Sequence, residues 1–154
     1  MSTNKVSADF ISLNNGVQNF KSLATQGYGV PAIYREGTST GNTGAVASIL
    51  TFTPSAPGVF IIYANVNVTA WTTPASFILS VTYTDDNAGA QTETLTVSRG
   101  STGATAAAIT AIDRWYSIPI IISSAGLAAI TVLTSGTFTG SPVYNTAASI
   151  MQIG

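Results

Sequence analysis

The 154-residue chain contains no cysteine and no histidine, and only five Lys or Arg and six Asp or Glu. Without cysteine there can be no disulfide, thiolate nucleophile or Cys-based zinc site, and without histidine the commonest general base and metal ligand is missing. Charged residues make up 7% of the chain, against about 25% in an average domain. Five scattered basic residues and a net charge of -1 cannot neutralise the run of phosphates that nucleic-acid binding requires, so nucleic acid is not expected as a partner. A membrane is not expected either. The longest apolar runs, Val59 to Ala64 and Ile118 to Ile122, are strand-sized and far short of the ~20 residues of a spanning helix. No apolar segment follows Met1-Ser2-Thr3-Asn4-Lys5, so the sequence reads as lacking an export signal and as made in a cytoplasm.

Hydroxyls fill the space left by charge: 23 Thr and 17 Ser are present, while apolar residues still reach 45%. The length suits one domain that buries roughly 70% of its unfolded surface. The apolar content exceeds what that single core needs, so part of it is expected to meet another subunit.

Residues 1–27 differ from the rest. They combine amides (Asn14, Asn15, Gln18, Asn19, Gln26) with the apolar Phe10, Ile11, Leu13, Val17, Phe20 and Leu23. Asn14-Asn15-Gly16 interrupts the roughly helical spacing. The segment reads as an N-terminal arm, either an irregular extension of the main domain or one that docks on a neighbouring protein. From residue 28 to 154 the pattern is β. Phe60, Ile62, Ala64, Val66 and Val68 alternate with Ile61, Tyr63, Asn65, Asn67 and Thr69, the period-two signature of a half-buried strand. Phe77 to Thr84, the turn residues Asp85-Asp86-Asn87-Ala88-Gly89 and an extended Thr92 to Val97 predict a hairpin. Further strands are expected at Val30 to Arg35, Ala45 to Phe52, Trp115 to Ile122, Ala128 to Thr134 and Ser149 to Ile153, and Ala104 to Ala108 is expected to be a loop. About eight strands and no clear helix predict an all-β fold, a two-sheet antiparallel β-sandwich or jelly roll.

No catalytic, cofactor or metal residue stands out. Asp85-Asp86-Asn87 lacks the spacing of a calcium loop and reads as turn chemistry. Asn67-Val68-Thr69 matches the glycosylation sequon but falls within a strand. A glycosidase needs two acids at a defined separation, and nothing singles out Glu93 with Asp113. Trp71 and Trp115 each read either as core or capping rings or as contact residues. Arg114, beside Trp115, belongs to the composition favoured at interface hot spots.

The ordered series Gly29-Val30-Pro31-Ala32-Ile33, Thr40-Gly41-Asn42-Thr43-Gly44-Ala45-Val46-Ala47, Leu50-Thr51-Phe52-Thr53-Pro54 and Gly58-Val59-Phe60-Ile61-Ile62-Tyr63 resembles the β-sandwich modules of tailed-bacteriophage virion proteins. So does its continuation through Val81-Thr82-Tyr83-Thr84-Asp85-Asp86, Tyr116-Ser117-Ile118-Pro119, Ile130-Thr131-Val132, Ser141-Pro142-Val143-Tyr144-Asn145 and Ser149 to Gly154. The layout also resembles the tumour-necrosis-factor-type jelly roll, which implies a homotrimer. The resulting expectation is a non-enzymatic virion protein without cofactor, a capsid decoration protein that binds the major capsid protein of the shell as a homotrimer. In this expectation Phe10, Leu13 and Phe20 contribute anchoring contacts. The alternative is a receptor-binding tip or tail-associated adhesin whose Trp71 and Trp115 stack on host glycans.

Overall fold

A strand forms from Gly58 to Ala70 because its side chains divide cleanly by parity. Phe60, Ile62, Ala64, Val66 and Val68 are all buried, while the residues between them stay half-exposed. The computed structural model describes residues 33–71, 76–138 and 140–153. Among these are eleven strands and no helix: β1 (Tyr34–Asn42), β2 (Leu50–Phe52), β3 (Gly58–Ala70), β4 (Ser76–Thr84), β5 (Ala90–Thr94), β6 (Val97–Arg99), β7 (Thr105–Ala106), β8 (Arg114–Ser117), β9 (Ile120–Ser124), β10 (Ile130–Thr137) and β11 (Val143–Gln152). The expected residues Phe10, Leu13 and Phe20, the arm at 1–27 and its boundary with the main domain lie outside the described residues.

The strands form two antiparallel sheets. The large sheet runs β1-β11-β3-β8-β6-β7, with β9 also paired to β3, and the small sheet runs β2-β10-β4-β5. The pairs nest: β1 with β11, β2 with β10, β3 with β8 and β9, and β4 with β5. A long antiparallel ribbon folded over on itself gives this nesting, which is jelly-roll winding. The all-β sandwich is therefore the fold of the described residues.

The core lies between the sheets. Phe60, Ile62, Val66, Tyr144 and Ile150 from the large sheet meet Phe77, Leu79, Val81, Ile130 and Val132 from the small one. At one end, Phe77, Phe138 and Tyr144 stack, with ring centroids 4.8–6.1 Å apart. The buried Tyr144 hydroxyl donates to the Gly44 carbonyl and pairs with Thr134 Oγ1 at 2.9 Å. Burial needs such partners, because an unpaired buried polar group is costly.

Several expected strands shift. The hairpin of β4 and β5 forms around Asp85, but the stretch after it does not continue in one sheet. Leu95 and Thr96 carry the chain across, so that Val97 pairs in the large sheet. The single strand expected over Trp115–Ile122 is two, β8 and β9, split at Ile118-Pro119, where proline has no N–H for the ladder. Ala45 to Phe52 contributes only the three residues of β2. The strand expected at Val30–Arg35, partly outside the described residues, appears instead as β1, which continues to Asn42. Gly37 permits this path. It faces inward opposite Ala148, and a Cβ there would lie 2.2 Å from the Ile49 carbonyl oxygen. The last strand is longer than Ser149–Ile153, beginning at Val143. The expected loop at Ala104–Ala108 contains the two-residue β7.

Candidate binding face

Antiparallel pairing puts partnered residues on the same face of a sheet, so the register of β1, β11, β3, β8 and β9 spells out the outer face of the large sheet row by row. One row is Tyr34, Met151, Ile61 and Ile121. The next is Glu36, Ser149 and Tyr63. A third runs Thr38, Ala147, Asn65, Tyr116 and Ser98. The last is Asn145, Asn67 and Arg114. The first row is wholly apolar or aromatic. Tyr34 is 49% exposed and Ile121 65%. Glu36 and Arg114 are the two charged residues in these rows, and they stand on opposite sides of the face.

Tyr34, Glu36, Thr38, Tyr63, Asn65 and Ser149 surround a shallow depression of about 240 Å³ in this face, floored where Ala147 is small. The Tyr34 hydroxyl donates to the Glu36 carboxylate. That bond is the main reason the Tyr34 phenol titrates above its ordinary value. Tyr63 is also raised, by burial first and then by nearby Tyr116. The phenols stay neutral at physiological pH, so the face offers rings, hydroxyls and amides.

The small sheet presents hydroxyls. Thr51, Thr131, Thr82 and Thr92 form one outward row across all four of its strands, and Thr51 and Thr131 are hydrogen-bonded at 3.2 Å. The two outer faces therefore differ: threonine on one, aromatic and aliphatic side chains on the other.

The residues singled out by sequence fall in different places. Trp115 is 3% exposed and its indole N–H donates to the Ala111 carbonyl at 3.0 Å. Of its two open readings the core one applies, so as a contact or glycan-stacking ring it is corrected: parity on β8 turns it inward opposite Val66. Trp71 is half-buried against Phe77, ring centroids 6.2 Å apart, and helps close one end of the sandwich. Arg114 is exposed on the outer face opposite Asn67. Glu93 and Asp113 are not brought together as an acid pair, since Glu93 lies on β5 of the small sheet and Asp113 just ahead of β8 in the large one.

The Asp113 carboxylate is occupied. It accepts from the Ser101 hydroxyl and backbone N–H, from Arg114 N–H and from Arg99 Nε at 2.8 Å. These bonds, the Ser101 hydroxyl first, lower its pKa to about 2. Arg99 in turn lies over the Trp115 ring, 5.9 Å from its centroid. Asp85 is likewise a turn residue, accepting from the N–H groups of Asn87 and Gly89 and from the Gln91 amide. Its pKa is lowered, chiefly by the Gly89 N–H. Asp86 accepts from Ser123.

The apolar first row is not legible as a unit in the sequence. Ile61, an apolar residue on the more polar side of an alternating strand, is its one local signal, because which strands lie beside β3 is a tertiary fact.

No family model matches the chain, and no curated protein matches it. Among solved structures it is similar to the SPBc2 prophage-derived protein YomS, at 10% identity and a TM-score of 0.36, covering 78% of this chain and 95% of that one. It is also similar to the globular domain of zebrafish complement 1qA protein, at 9% identity and a TM-score of 0.49, covering 80% and 98%. A third is the CBM22-1 xylan-binding domain of Paenibacillus barcinonensis Xyn10C, at 16% identity and a TM-score of 0.39, covering 75% and 70%. All three TM-scores are below 0.5, too distant for ligands or assemblies to be carried over, and the jelly-roll winding rests on the strand register of this chain itself.

Proposed function

We propose that the chain is a non-enzymatic structural protein of a phage particle, a capsid decoration protein that assembles as a homotrimer and binds the outer surface of the head. The observation that carries this reading is the outer face of the large sheet. Tyr34, Met151, Ile61 and Ile121 form an apolar row across four strands, with Tyr63 in the next row and Tyr116 in the one after it. A sandwich that has already filled its core gains nothing by keeping these side chains in water, whereas association buries them. Aromatic residues and a low charge density are also what distinguishes the core of a protein interface from ordinary surface. Glu36 and Arg114, on opposite sides of the face, suit a head-to-tail contact in which one copy's acid meets the next copy's base. The number three comes from the sequence resemblance to tumour-necrosis-factor-type jelly rolls.

A trimer that binds the assembled shell more tightly than free shell subunits stabilises the assembled state by mass action. Within this reading Phe10, Leu13 and Phe20 of the arm contribute anchoring contacts. The test is native mass of the full chain, followed by cosedimentation with assembled shells and with unassembled shell protein. A mass three times that of the chain, and binding to assembled shells that weakens when residues 1–27 are removed, are expected. A monomeric mass at micromolar concentration, or equal binding to unassembled subunits, refutes the reading.

A further inference from the structure

Charge is rare in this chain, and most charged groups among the described residues have partners in their own fold. Arg99 pairs with Asp113 at 2.8 Å, and Arg35 lies over the Phe52 ring, 5.5 Å from its centroid. Asp85 is held by its own turn and Asp86 accepts from Ser123, while Glu93 stands apart on the edge strand β5. Glu36 and Arg114 are different. Both are exposed on the outer face of the large sheet, and among the described residues neither has an oppositely charged partner.

The register fixes their separation. Glu36, Ser149 and Tyr63 share one row, and Arg114 stands beside Asn67, four residues further along β3. Three strand spacings of ~4.8 Å and four residues of ~3.3 Å put their Cα atoms roughly 20 Å apart. The two side chains cannot pair within one chain.

The surroundings of Glu36 suit a guanidinium. The Tyr34 hydroxyl donates to Oε1 of the carboxylate and steadies it, leaving Oε2 to accept from another donor. The depression of about 240 Å³ beside it is lined by Tyr34, Tyr63, Thr38, Asn65 and Ser149, and by no basic residue. Two aromatic rings offer faces to a planar cation, and amide and hydroxyl oxygens offer acceptors to its remaining N–H groups. Arginine is the side chain whose fork matches a carboxylate and which also stacks on aromatic rings.

We propose that the depression at Tyr34, Glu36 and Tyr63 is a socket for Arg114 of a second copy of this chain, an inference that rests on the reading of this face as a contact between copies. Acid and base occur once each and lie apart, so each copy offers its socket to one neighbour and its Arg114 to another. Such a head-to-tail contact closes into a ring when its rotation allows. The socket adjoins the row of Tyr34, Met151, Ile61 and Ile121, so seating Arg114 carries part of the neighbour's face over side chains that association buries. The charge pair sets the register and direction of the contact, which the apolar row alone does not, because hydrophobic burial is non-directional.

The test uses the full chain with Glu36→Arg, with Arg114→Glu and with both together, and with Glu36→Gln and Arg114→Gln as milder forms. Sedimentation velocity over a concentration series reads association, and thermal unfolding reads the fold of each variant. Either single reversal puts like charges in the socket and is expected to raise the midpoint concentration of association at least about tenfold. The double reversal restores opposite charges and is expected to return to within about threefold of wild type. Where a reversal lowers the unfolding temperature, the Gln variants are compared instead: a double no weaker than either single supports the pairing, and additive losses overturn it. Wild-type association with unchanged midpoints in both single reversals overturns the socket and leaves the contact face standing. A double reversal as weak as the two losses combined overturns the pairing of these two residues. A wild-type chain that stays monomeric overturns the contact-face reading itself.

Discussion

Ile121 is the sharpest probe of the sheet face. It is 65% exposed on β9, at the end of the row Tyr34, Met151, Ile61 and Ile121, so replacing it removes almost nothing from the core of a single sandwich. Fully burying an isoleucine contributes about 1.5–3 kcal/mol. About two-thirds of that surface is still available, so contact with a second copy would contribute ~1–2 kcal/mol per protomer. Three copies in a closed ring would together lose ~3–6 kcal/mol when the side chain is removed, or roughly a 10²–10⁴-fold rise in the trimer dissociation constant at 1.4 kcal/mol per tenfold. Because a trimer dissociation constant carries the square of concentration, Ile121→Ser is therefore expected to shift the monomer–trimer transition in sedimentation velocity to a roughly 10- to 100-fold higher concentration. Its unfolding free energy, measured at a concentration where both proteins are monomeric, should stay within about 0.5 kcal/mol of wild type, as for other exposed substitutions. An unchanged transition would refute the assignment of this face to contact between copies. A large loss of monomer stability would show instead that Ile121 is covered within its own chain.

Two further outcomes concern the sandwich itself. Tyr144→Phe keeps the ring stack with Phe77 but leaves the Gly44 carbonyl without its phenolic donor. The expected cost is about 1–2 kcal/mol, or ~2–8 °C in the melting temperature for a domain of this size, and a change under 1 °C would count against that bond. Asp113 titrates at about 2 in the fold against 3.8 ordinarily, so its contribution to stability is present above pH 3.8 and is lost as pH falls toward 2. Urea midpoints should drop over that window, and Asp113→Asn should make the drop shallower, leaving the part due to Asp85. An identical pH profile in the variant would assign the acid sensitivity elsewhere.

What could be read from the chain followed from local rules. Alternation in β3 and β4 marks which side chains are inward, because side-chain direction in a strand has a period of two whatever the strand pairs with. The turn at Asp85–Gly89 was legible because its hydrogen bonds stay within five residues. β1 was harder, since Glu36-Gly37-Thr38-Ser39-Thr40-Gly41 has little strand propensity and is held by its ladder to β11, more than 100 positions away. Trp115 shows the same limit at a candidate site residue: its aromatic ring suits a core and a contact equally, and only the register that places it opposite Val66 sends it inward.

The sequence by itself determined the all-β class, the abundance of hydroxyls and the closure of much His- and Cys-based chemistry, because composition and two-residue periodicity need no partner strand. Only the tertiary structure decided which outward residues share a face. Tyr34, Ile61, Ile121 and Met151 are spread over 118 residues of chain and become one apolar row through the pairing of β1, β11, β3 and β9. The loop at Ala125–Leu127 is set the same way: its exposure and backbone hand come from contacts with Pro54, Ala56 and Thr84 that no local pattern contains.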